Sequence, residues 1–321
     1  MAIHPHMSGV NCHLRIGARG AGDGMTETTA DSSGHHGGMD FENLVYADRS
    51  ERGKLRFTGE QRAWFLHQIM TQSFDPISPG EVREAALLTA HGRMVGYLEA
   101  VATDDSILTH FEPELTESFP DEIRRYVFAT MVEITDVTEE MGLVLVAGPE
   151  WAATAKTAAP GAPVQSTSAL GTPAGYVWTP RAEVPAVIDA LAGTGARRAA
   201  EEELETVRIG NGVARWGRDM TDKTIPMEAR IEDVAVHFEK GCYVGQEAMA
   251  KIHFRGRVNR LLRRIEASAP IDSGADVTTP DGTKVGRVTS SAGPTALAIL
   301  KYTVEPGTAV AVGEVDAKVV A

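Results

Sequence analysis

A thiol, an ammonium, a phenol, an amide and a carboxylate crowd into the stretch Lys240-Gly241-Cys242-Tyr243-Val244-Gly245-Gln246-Glu247. Its glycines let the backbone turn tightly or approach a ligand closely. Cys242 has the widest chemistry of the set, since a thiolate ligates iron, exchanges with other thiols or attacks carbon. A nearby cation and a helix N-terminus both favour thiolate over thiol. Lys240 and a helix expected from Val244 onward supply these two influences, which makes Cys242 and Lys240 the candidate catalytic pair. A lone cysteine also serves as a small buried hydrophobe, so a structural Cys242 is the competing expectation. His237 and His253 are candidates for a Cys–His pair, although no spacing establishes one.

Between residues 240 and 264 the cations Lys240, Lys251, Arg255, Arg257, Arg260, Arg263 and Arg264 face Glu247 alone. In a chain of net charge −13 this marks a candidate anion-binding region. A basic strand paired with acidic neighbours is the plainer alternative. Aromatic side chains for stacking bases are few here (Tyr243, Phe254), and the acidic chain repels nucleic acid and anionic membrane, so neither is an expected partner. A length of 321 residues calls for two or three structural units, and 43% hydrophobic residues supply a core. No apolar run reaches transmembrane length. Cys12 and Cys242 are the cysteines, far apart, which fits a reducing cytoplasm better than a disulfide framework.

These groups need elements to position them. Residues 1–40 are rich in Gly, Ser, Thr and His without apolar periodicity and read as a disordered tail, with Met25 as an alternative start. They lack the features of a secretory or transit segment. His13 beside Cys12 matches no zinc spacing, and no metal site is expected.

Residues 41–140 read as a first ferredoxin-like unit. Its parts are a strand over 44–57 turning at Arg52-Gly53, and a helix opened by a capping box at Thr58-Gly59-Glu60-Gln61 with Trp64, Phe65, Ile69 and Met70 on one face. That helix is stopped by Asp75-Pro76. A hairpin of 85–90 and 94–102 around His91-Gly92-Arg93 follows, then a strand over 106–111, helix on both sides of Pro120, and a returning strand over 131–137.

Residues 141–258 repeat the order as a second unit that carries the Cys242 stretch. It has strands over 142–147 and 175–178 and helices over 149–158, with Pro at its first position, and 184–191. An acidic helix over 199–208 follows, with Glu201, Glu202, Glu203 and Glu205 as its solvated face. Residues 259–321 hold short strands and a turn at Pro280-Asp281-Gly282, as in a small barrel that braces the rest. The fold class is α+β: two ferredoxin-like units plus a C-terminal small β-barrel.

The eight-residue stretch, with Arg255-Gly256-Arg257 and Arg260 after it, resembles the signature of the YgfZ-type folate-binding proteins, relatives of the T-protein (aminomethyltransferase) of the glycine cleavage system. The similarity runs from Asp48-Arg49-Ser50 and Leu55-Arg56-Phe57-Thr58-Gly59 through Gly92-Arg93-Met94 to Gly282-Thr283-Lys284-Val285-Gly286-Arg287-Val288-Thr289-Ser290. The resemblance implies that the three units surround a central channel for tetrahydrofolate or a related folate. It implies Arg208, Asn211, Tyr243, Gln246, Glu247, Arg255 and Arg257 as folate-binding residues, and iron–sulfur client or assembly proteins as partners.

Two positions depart from the T-protein. An aspartate pair there corresponds to Gly96 and Tyr97 here, which argues against aminomethyl transfer. A glutamate near the pterin there corresponds to Gly210. Three readings follow: a folate-binding accessory protein for iron–sulfur cluster assembly or repair acting through Cys242; a folate-dependent aminomethyl or methyl transferase or demethylase; and a non-catalytic folate-sensing or interaction module.

Overall fold

The computed structural model describes residues 39–320. The expected tail, with Cys12, His13 and Met25, lies outside the described residues except for its last two positions. The elements in the first part of the chain are β1 (Val45–Asp48), β2 (Gly53–Thr58), α1 (Arg62–Ile69), β3 (Val82–Leu88), β4 (Met94–Ala102), β5 (Ile107–Phe111), α2 (Phe119–Arg124) and β6 (Glu133–Asp136). There follow β7 (Met141–Ala147), α3 (Trp151–Ala158), β8 (Val164–Ser166), β9 (Ala174–Pro180), α4 (Val184–Gly193), β10 (Arg197–Arg198) and α5 (Glu201–Gly210). Short helices α6 (Pro226–Ala229) and α7 (Glu232–Ala235) lead to α8 (Gln246–Arg255). The barrel strands are β11 (Arg260–Ala267), β12 (Asp276–Thr278), β13 (Lys284–Ala292), β14 (Thr295–Lys301), β15 (Ala309–Val312) and β16 (Val315–Val320).

Two five-stranded sheets, ordered β3-β4-β5-β2-β6 and β10-β1-β7-β9-β8, accompany a closed barrel ordered β11-β14-β13-β12-β15-β16. The α+β architecture with a terminal barrel is as expected, but the chain is divided differently. Residues 44–57 do not fold back on themselves: β1 pairs with β7 in the second sheet, whereas β2 pairs with β5 and β6 in the first. The crossing at 49–52 is pinned by main-chain and side-chain bonds. Arg49 N donates to Leu143 O at 2.8 Å and Leu143 N donates to Ser50 Oγ at 3.1 Å. The buried Lys54 ammonium donates to Ser50 O at 2.8 Å and Arg52 O at 2.7 Å, and its burial pushes it down to about 8. An ammonium with carbonyl partners is tolerated inside, because its donors stay satisfied. The boundary at residue 140 is corrected accordingly, since β1 belongs to the second sheet.

The second boundary also moves. Met227, Ala229, Ile231, Ala235, Tyr243 and Met249 pack into the same core as Leu55, Phe65, Leu87 and Leu98, so the Cys242 stretch sits on the first sheet and not within the second unit. Local expectations fail for identifiable reasons. The capping box does not form: Gly59 takes φ +95, α1 begins at Arg62, and the side-chain carbonyl of Gln61 instead accepts Met131 N. Leu66 joins Phe65 and Ile69 in the core while Trp64 stays 46% exposed. Pro120 lies in the first turn of α2, and Pro149 precedes α3, whose cap Glu150 is left-handed.

Helix α5 is the strut between sheet and barrel. Its carboxylates are not simply solvated: Glu201 pairs with Arg49 at 2.7 Å and Arg215 at 2.6 Å, Glu205 pairs with Arg208 at 2.7 Å, and Glu203 pairs with Arg197. Ile209 packs with Leu262 and Leu297 of the barrel. Beside them, buried Arg208 binds buried Asp219 at 2.6 Å, and both reach Ser290 on β13, at 2.9 and 2.8 Å. Truncating Arg208 would strand the Asp219 carboxylate. Arg208→Ala should lower equilibrium stability by ~3–5 kcal/mol in denaturant titrations, the usual cost of halving a buried pair.

Candidate functional site

The Cys242 loop is built around Lys240. Its buried ammonium donates to Met70 O at 2.7 Å, Gln72 O at 2.9 Å and His67 O, and lies 5.0 Å from the centre of the Tyr243 ring. These carbonyls are at and just beyond the C-terminus of α1, where helix geometry leaves acceptors without partners and favours positive charge. Burial pushes the ammonium down to about 7, against the pull of those three oxygens. Lys240 is therefore a pin engaged with main chain, and the cation expected to act on the thiol is directed elsewhere.

Gln246 Nε2 donates back to Lys240 O at 3.3 Å. Gly245 caps α8 with φ +84, and a Cβ there would lie 2.6 Å from Thr89 O. That close approach to the β3–β4 hairpin is why glycine is needed, and it starts the helix at Gln246, beyond the expected Val244. Cys242 is a free thiol, exposed at the tip of this pinned loop and not sealed among aliphatic side chains.

Beside the loop lies a cavity of about 460 Å³ lined by Gln72, Ser73, Val82, Arg83, Glu84, Val234 and His237. The volume falls in the range of small-molecule sites. Loop and cavity share the turn after α1, because Lys240 grips the carbonyl of Gln72 whose residue lines the cavity. Glu84 on β3 accepts the Tyr97 hydroxyl, Ser168 Oγ at 2.7 Å and Ser168 N at 2.9 Å.

Glu84 stands opposite Glu99 on β4, and from there polar groups continue into the seam between the sheets. Glu99 accepts Thr167 Oγ1 at 2.6 Å and lies 3.5 Å from Arg52. Burial, reinforced by the Glu84 charge, pushes its carboxyl up to about 8 despite that guanidinium. His110 is fully buried, which drives it well below the usual histidine range and leaves a neutral ring. Its Nε2 is 3.1 Å from Gln165 Nε2, while Gln165 Oε1 accepts Trp178 Nε1 at 3.0 Å.

Several residues expected at the folate have partners within the protein. All five Arg208 N–H groups are engaged, by Glu205, Asp219, Ser290 and Val213 O. Asn211 exchanges two hydrogen bonds with the Met39 main chain, at 2.7 and 2.8 Å, and also donates to Leu170 O. Over Gly210 a Cβ would meet Met39 Sδ at 2.5 Å, so a side chain already covers that position.

Tyr243 is buried in the first core, and Gln246 braces the loop. Arg257 lies over Tyr302 at 4.3 Å and Arg260 pairs with Glu228 at 3.1 Å, so part of the basic stretch is structural. Glu247 is exposed in the first turn of α8, and Arg255 closes that helix. His237 lines the cavity, whereas His253 stacks on Phe238 at 3.8 Å. Glu84, Glu99, His110 and Gln165 escaped sequence reasoning; polar residues within the strands were the available signal. Among the described residues no cluster of three or more His, Cys, Asp or Glu could hold a metal ion, and no helix is long and apolar enough to cross a membrane.

The three-unit arrangement is the fold of a glycine cleavage system aminomethyltransferase T from Bartonella henselae, with TM-score 0.78 and 18% identity over 87% of this chain and 85% of that one. Residues 259–321 match the family described as CAF17, C-terminal beta-barrel domain. A chloroplastic protein of Arabidopsis thaliana, provisionally named a transferase, is 27% identical over 79% of this chain and 63% of its own length. An aminomethyltransferase of Rubrobacter xylanophilus is 26% identical over 67% of this chain and 63% of its own length. The chain thus spans less than two thirds of either relative. The human mitochondrial iron–sulfur cluster assembly factor IBA57 is 32% identical over 100 residues, 29% of this chain and 28% of that protein. These matches agree with the resemblance read from the motifs: the chain has the fold of an aminomethyltransferase T and carries a C-terminal barrel of the CAF17 type.

Two outcomes are expected from the site geometry. Because burial pushes the folded Glu99 carboxyl up to about 8, its stabilising contribution is complete below the ordinary carboxylate range and is lost as pH rises toward 8. Replacing it by an amide removes this dependence, so the difference in unfolding midpoint between wild type and Glu99→Gln should shift in favour of the variant across that window. Lys240→Met leaves buried carbonyls without their donor and should cost roughly 1–3 kcal/mol in denaturant unfolding, with faster proteolytic cleavage of the 240–247 loop.

Proposed function

We propose that the chain is a tetrahydrofolate-binding accessory protein that supports iron–sulfur cluster assembly or repair, with Cys242 as its reactive group. The observation that carries this reading is the exposed thiol of Cys242 on a loop pinned by Lys240 next to a polar cavity. The barrel match and the similarity to the human assembly factor support it. The residues present fit a folate. Glu84 and Gln72 offer acceptor and amide groups to the hydrogen-bonding edge of a pterin, and Arg83 and His237 offer donors to glutamyl carboxylates. Bound there, the folate would supply one-carbon chemistry, while the protein orients it and presents a sulfur to an iron–sulfur client.

Folate-dependent aminomethyl or methyl transfer is the second reading, favoured by the names of the plant and Rubrobacter relatives. The strand that would carry a transferase aspartate weighs against it. At Gly96 a Cβ would come within 2.4 Å of the Phe119 ring, and the Tyr97 hydroxyl is bound to Glu84.

Calorimetry with tetrahydrofolate should show saturable binding to the wild type, and a flat titration would end both folate readings. Cys242→Ala should bind folate as the wild type does but fail to restore iron–sulfur enzyme activities in cells lacking the protein. Full restoration by the variant would exclude an active thiol. Turnover of glycine-derived or methylated amines with tetrahydrofolate would establish the transferase instead.

A further inference from the structure

Resting on the folate reading above, we propose that Glu84 is the carboxylate that reads the pterin ring and that Ser168 is its internal competitor. A pterin presents two adjacent N–H donors, from its ring N3 and its 2-amino group. That pair matches the two oxygens of a carboxylate in the fork fashion of a guanidinium. Among the residues lining the cavity Glu84 is the one carboxylate. The position where the resemblance places a pterin-binding glutamate is Gly210, covered by Met39.

Ser168 already makes a two-donor fork on Glu84. Its main-chain N donates to Oε1 at 2.9 Å and its Oγ donates to Oε2 at 2.7 Å. The Tyr97 hydroxyl approaches Oε2 as a third donor and fixes the carboxylate. A ligand that brings two N–H donors would replace the Ser168 fork bond for bond, so its affinity is set by the difference between the two.

Ser168 lies on a segment that follows β8 and is tethered elsewhere. Thr167 Oγ1 donates to Glu99, Asn211 Nδ2 donates to Leu170 O at 2.8 Å, and Thr172 Oγ1 donates to Asp40 at 2.5 Å. The tethers keep the segment close, so a released Ser168 remains near Glu84 as a competitor. This arrangement selects for ligands with a paired donor edge: a pterin satisfies it, whereas lumazine, with an oxo group in place of the 2-amino group, does not.

The test is calorimetry of the full chain with tetrahydrofolate, pterin and lumazine, with thermal unfolding as a check on each variant. Glu84→Gln should weaken tetrahydrofolate roughly tenfold or more and erase the preference for pterin over lumazine, because one acceptor becomes a donor. Ser168→Ala, which removes one arm of the competing fork and leaves Glu84 intact, should tighten tetrahydrofolate several-fold. Wild-type affinity in Glu84→Gln would overturn the proposal while leaving the folate reading standing. Unchanged or weakened binding in Ser168→Ala would overturn the competition. A wild type that binds tetrahydrofolate but does not prefer pterin to lumazine would overturn the assignment of Glu84, and one that binds no folate would end both readings together.

Discussion

Polar and charged side chains are buried where the two sheets meet, and hydrogen bonds between them run across the seam. Arg52 joins Glu99 and Glu112 from the crossing, Glu99 takes a hydroxyl from Thr167, and Gln165 links His110 of the first sheet to Trp178 of the second. Apolar contact alone is non-directional and would tolerate sliding. Buried hydrogen bonds do not, because a donor or acceptor out of register loses its partner without regaining water. The seam therefore sets one relation between the sheets, and the Glu84 edge of the cavity is its outer end.

The thiol depends on a second constraint of the same kind. Lys240 answers carbonyls at the end of a helix, and that single ammonium fixes the turn beneath the cavity together with the loop that carries Cys242. Exposed thiol and cavity are thus positioned by one shared anchor, although they come from chain segments far apart in sequence. The barrel is held by a third buried ionic cluster, Arg208 with Asp219 and Ser290, in which side chains that looked like ligand contacts have become structural.

Strand periodicity made the architecture legible. Alternating or continuous apolar runs marked nearly every strand, the hairpin turn at Gly92 and the barrel turn at Gly282 both adopt positive φ, and the dense chemistry at 240–247 marked the segment that carries the exposed thiol. The same local logic mislaid β1, because a turn at Arg52-Gly53 looks alike whether the chain returns to the same sheet or crosses to another. The capping box at Thr58 to Gln61 failed for a similar reason: tertiary contact with Met131 engages the residue that would have closed it.

Sequence by itself determined the fold class and marked 240–247 as the stretch densest in chemistry. It could not decide what Lys240, Arg208 and Asn211 do, since a cation or an amide offers the same donors to a ligand as to a main-chain carbonyl or a buried carboxylate. Only the folded chain decided that, by bringing residues as distant as Lys240 and Met70, or Arg208 and Ser290, within hydrogen-bonding reach. It also turned Glu84 and Glu99 inward. Placement of this kind follows from which surfaces pack together, and packing is a property of the whole chain, not of a motif.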